Sequence, residues 1–61
     1  MTTRIFFTKP DGSQGKLSVG ESFIPGGQHV FLAAPPSAQV PLAEAEAYAR
    51  AILEEVSRHD G

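Results

Sequence analysis

Three observations predict an α+β fold, a three- to four-stranded antiparallel β-meander with one C-terminal amphipathic helix packed on one face (βββα). Short β-branched and aromatic runs alternate with proline- and glycine-bearing turns over residues 3–40. Apolar residues recur at helical spacing over about residues 41–58. With 61 residues, the chain has room for a single domain, 1–61, and no internal repeat or low-complexity segment divides it.

The elements follow in order. Arg4-Ile5-Phe6-Phe7-Thr8 is a strand, and Lys9-Pro10-Asp11-Gly12-Ser13 turns it back. Proline presets φ at the first corner, aspartate suits the second, and glycine takes the left-handed position that follows. Gln14 to Val19 alternates, and Gly20 is expected to mark a bulge or bend before Ser22-Phe23-Ile24. Pro25-Gly26-Gly27 makes the second turn, and Gln28-His29-Val30-Phe31-Leu32-Ala33 the next strand. The two prolines of Ala34-Pro35-Pro36-Ser37 exclude helix and inner strand. Ala38-Gln39-Val40 offers a brief edge strand, and Pro41 suits a first helical position.

In the helix, Ala45, Tyr48, Ala49, Ile52, Leu53 and Val56 form one apolar stripe. Glu44, Glu46, Glu54 and Glu55 are expected on the remaining faces. Glu46–Arg50 and Glu54–Arg58 are acid-first i, i+4 pairs.

Strand alternation puts Ile5, Phe7, Leu17, Val19, Val30 and Leu32 on one face of the sheet, which one helix covers. Arg4, Phe6, Lys16, His29 and Phe31 then belong to the opposite face, with no second layer to cover them. Because both faces carry apolar residues, a register shifted by one would instead turn Phe6 and Phe31 to the helix. A core this small leaves only about 3–5 kcal/mol of net stability without a staple. There is no cysteine for a disulfide, and His29 and His59 lack metal-site spacing. Self-association is the remaining staple, and a homo-oligomer is expected, built on that spare face or completed by a partner.

Charge is distributed unevenly about a formal net charge of −2. Residues 1–40 carry three basic against two acidic side chains, and residues 41–61 two basic against five acidic. This balance disfavours generic coating of DNA. No run approaches a membrane span, and Met1 to Ile5 lacks a signal peptide's apolar stretch, so a cytoplasmic location is expected.

Catalytic, cofactor-binding and metal-binding constellations are not found. Gly12-Ser13-Gln14-Gly15-Lys16 has two residues between its glycines where a phosphate loop needs four, and Leu17 follows the lysine. The serines have no evident base partner. His29 with Asp11 or Glu21 would form a base and its orienting group only if the loops met.

Two functions remain. One is a non-enzymatic protein-binding module whose acidic helix residues Glu44, Glu46, Glu54 and Glu55 meet a partner, as in a small phage or mobile-element inhibitor of a host defence complex (anti-CRISPR-like). That expectation follows from size and class. The other is a nucleic-acid or nucleotide binder that uses Arg4, Phe6, Lys16, His29 and Phe31.

Overall fold

The computed structural model describes residues 2–59. Strands β1 (Thr3–Thr8), β2 (Gln14–Glu21) and β3 (Val30–Ala33) form one antiparallel sheet in the order β1-β2-β3, followed by helix α1 (Leu42–His59). The architecture is βββα, an open three-stranded sheet with the helix packed on it.

The β1–β2 hairpin closes as the Pro-Asp-Gly turn requires. The Gly12 N–H donates to the Lys9 carbonyl at 2.9 Å, and the Lys9 N–H donates to the Ser13 carbonyl at 2.7 Å. Gly12 sits at φ 90°, where a Cβ would be strained. The register runs without interruption from Thr8↔Gln14 to Thr3↔Val19, and β2 continues through Gly20, which pairs with Phe31. Gly20 is therefore a regular ladder residue, and the expected bulge is absent. Beyond Glu21 the chain leaves the sheet, so Phe23 and Ile24 lie in a bend whose Ser22 Oγ accepts the Ile24 N–H at 3.0 Å. Gly26 and Gly27, both at positive φ, then turn it back. Strand β3 begins only at Val30, so Gln28 and His29 fall outside it. Ala38–Val40 makes no strand, and the described sheet stays at three.

Phe7, Leu17 and Val19 are the buried apolar residues of the sheet, all on the face that sequence alternation assigns to the core. Phe7 is 4% exposed and lies opposite Gly15 in the register. A Cβ at position 15 would overlap the edge of the Phe7 ring, so only glycine lets the ring lie flat across the neighbouring strand.

Helix α1 begins one residue later than expected. The Pro41 carbonyl accepts the first helical bond, from the Ala45 N–H at 2.9 Å, which makes Pro41 the capping residue and Leu42 the first helical one. The Tyr48 hydroxyl donates to the Ser18 carbonyl at 2.8 Å and ties the helix to the middle strand.

The buried side of α1 is not the predicted stripe. Ala51 and Glu55 are buried and Glu44, Tyr48 and Ile52 half-buried, while Ala45, Ala49, Leu53 and Val56 are exposed. At 100° per residue, the apolar arc extends from Ala51 through Ile52, Ala45, Val56, Ala49 and Leu42 to Leu53. The helix buries one half of that arc and shows the other to solvent. It lies chiefly over β2 and β1 and meets β3 least.

Candidate functional site

The structure separates the five residues expected to form one basic-aromatic patch. Arg4, Phe6, Lys16 and Phe31 do occupy the sheet face away from α1, and all are exposed. Phe6 lies directly opposite Lys16, and Arg4 opposite Ser18. Phe31, however, pairs with Gly20 on the far side of β2. Four residues along one strand and two strand spacings across put the two phenylalanine positions about 16 Å apart. They do not form one stacking platform. His29, outside the ladder, joins neither end.

The acidic helix set divides as well. Glu46 and Glu54 are exposed, and Glu46 pairs with Arg50 at 3.4 Å as the spacing predicts. Glu55 is 5% exposed and faces inward. Its carboxylate meets His59 Nε2 at 3.0 Å and Arg58 Nη1 at 3.7 Å, so Arg58 pairs with Glu55 and not with Glu54. The reason is helical phase. Glu55 projects from the same side as Ala51 and Tyr48, the side turned to the sheet. Two outward carboxylates, one of them neutralised by Arg50, do not make the four-residue acidic surface that the sequence suggests.

What the fold does bring together is an apolar corner. Its floor is the helix-side face of β3, where Val30 is half-buried and Leu32 is 49% exposed. Its wall is the uncovered flank of α1. Val56 and Val30 line the same shallow cavity of about 350 Å³, with Gly27, Gln28, His29 and His59, which places that flank on the β3 side of the helix. The two histidines thus approach one cavity although 30 positions separate them. No local spacing announces this meeting, because it depends on where the end of α1 lands. Among the described residues no group of three or more His, Cys, Asp or Glu side chains is placed to hold a metal ion. Nor is any described helix long and apolar enough to cross a membrane.

The first turn has a second role in packing. Lys9, Pro10 and Asp11 line a cavity of about 260 Å³ with Pro35, Pro36 and Ser37, so the diproline loop lies against the hairpin end. At its lip the Asp11 carboxylate accepts the Ser13 hydroxyl at 2.7 Å and the Ser13 N–H at 2.9 Å. These bonds, the hydroxyl's first, hold the Asp11 carboxyl below the ordinary aspartate range.

Comparison with protein-family models, with curated proteins and with solved structures finds no match.

Proposed function

We propose that this chain is a non-enzymatic protein-binding module that self-associates and acts by covering a surface of a larger partner. One observation carries the reading. Among the described residues only Phe7, Leu17, Val19 and Ala51 are buried apolar residues, while eight large apolar side chains are exposed, Phe23 by 94% and Leu42 by 89%. Scattered apolar residues on a surface need no explanation, but a surface that outweighs its own core does.

The dimensions point the same way. A compact monomer of 6.5 kDa exposes roughly 3,800 Å², and this chain exposes 4598 Å². The radius of gyration is 12.6 Å, against about 10.5 Å for a compact chain of this length. The surplus area, about 800 Å², is what each partner contributes to a standard protein interface.

The test is solution mass by light scattering across a dilution series. A mass near twice that of the chain, falling on dilution, is the expected result. A monomer at every concentration up to about 1 mM, where even weak pairing would show, overturns self-association.

A second reading, a binder of single-stranded nucleic acid, keeps one specific support. Phe6 faces Lys16 across the ladder with Arg4 two residues away on the same face. Binding to single-stranded oligonucleotides that weakens steeply with salt is its signature. Absence of binding at low salt removes it.

A further inference from the structure

We infer that the exposed flank of α1 is a helix–helix seam, which pairs antiparallel with the same flank of a second copy about a twofold axis at Ala49. This rests on the self-association proposed above and specifies its surface. The seam residues are Leu42, Ala45, Ala49, Leu53 and Val56, all exposed. With Ile52 they fall at 42, 45, 49, 52/53 and 56, the three-and-four spacing of a coiled-coil seam. An amphipathic surface helix spends such a seam on its own sheet. Here the sheet takes the adjacent face, and the seam faces outward.

Side-chain size selects a second copy as the occupant, and the helix dipoles select the antiparallel sense. About Ala49 as centre, Leu42 meets the copy's Val56 and Ala45 meets its Leu53. Small Ala45 thus faces large Leu53, and two alanines meet at the axis, where helices can approach to about 8 Å. Antiparallel pairing opposes the two helix macrodipoles. Parallel pairing would place like ends together. The copy's helix also settles over β3, where one helix of about 10 Å diameter cannot reach across three strands spaced about 4.8 Å apart. Leu32 and Val30 gain their cover from it.

The chain has no cysteine, so single cysteines report cleanly. Ala49→Cys, at the axis, is expected to form a disulfide-linked dimer in oxidised glutathione, since close-packed helices put its two copies within disulfide reach. Ala43→Cys, equally exposed but on the opposite flank, is expected to stay monomeric on a non-reducing gel. Ala49→Glu should shift the dimer–monomer midpoint at least tenfold toward monomer, with helical circular dichroism retained. Equal cross-linking at 43 and 49 overturns the seam. Cross-linking by Phe6→Cys but not by Ala49→Cys also overturns it, and leaves self-association standing through the other sheet face. A wild-type chain that stays monomeric overturns both.

Discussion

The β1–β2 hairpin and strand β3 are built from the same kinds of residue, yet they stand in opposite situations. In the hairpin Phe7, Leu17 and Val19 lie beneath α1, and the turn is held by its own backbone bonds and by Asp11. Strand β3, four residues long, has Phe31 half-exposed on one face and Leu32 half-exposed on the other. Its edge is free of charged residues, proline or a bulge, the devices by which sheets discourage pairing with other chains. The hairpin and helix thus form the folded unit, and β3 with the outer flank of α1 forms its unfinished side. Sequence hydrophobicity does not distinguish the two, because the difference lies in where one helix sits.

Truncation is the sharpest way to break the comparison. Leu17→Ala removes a fully covered side chain and should cost about 2–5 kcal/mol, enough to unfold a domain of this size. Leu32→Ala should cost under about 1 kcal/mol at concentrations where the chain is monomeric, since half of that side chain is already wet. Urea unfolding followed by circular dichroism compares them. Equal losses would mean that β3 belongs to the core after all.

Gly15→Ala tests the hairpin alone. Phe7 is buried and has little room to swing away from a new Cβ, so a loss of about 1–3 kcal/mol is expected. An unchanged urea midpoint would show that the ring relocates freely.

The smallest effect concerns the turn. A folded-state pKa below the unfolded value contributes stability that is present above the unfolded pKa and is lost as pH falls through the folded one. The Asp11 carboxyl is of this kind. Asp11→Asn should therefore lower stability slightly at neutral pH and converge with the wild type as pH falls below about 4, which flattens the acid decline. A parallel decline in both proteins would place the acid sensitivity elsewhere.

Much of the fold is legible in the sequence. Period-two alternation assigns Ile5, Phe7, Leu17 and Val19 to the covered face, and Pro10-Asp11-Gly12 locates the hairpin turn. The phase of α1 is not legible. Its apolar arc is wider than one contact needs, so periodicity identifies a helix without saying which half meets the sheet. Two tertiary facts decide it. Small Ala51 allows close approach, and the Tyr48 hydroxyl finds the Ser18 carbonyl. That rotation turns Glu55 inward and Ala49 outward, and it accounts for the misassigned stripe and the reduced acidic surface. The candidate site escaped sequence reading for the same reason. Phe6 and Phe31 share a face by alternation, but their separation depends on the ladder pairs Phe6↔Lys16 and Gly20↔Phe31.

The flat ring of Phe7 over Gly15 also bears on the order of folding. A slip of the hairpin by two residues keeps the apolar faces aligned and would otherwise be a plausible trap. It would set Leu17 opposite Phe7 in place of Gly15, and the ring would lose the flat seat that the glycine allows. The hairpin itself forms from contacts close in sequence, the kind that fold fastest. Docking of α1 draws on contacts farther apart in sequence, such as Tyr48 with Ser18, and by topology is the slower step. A chain ordered this way completes the exposed flank of its helix last.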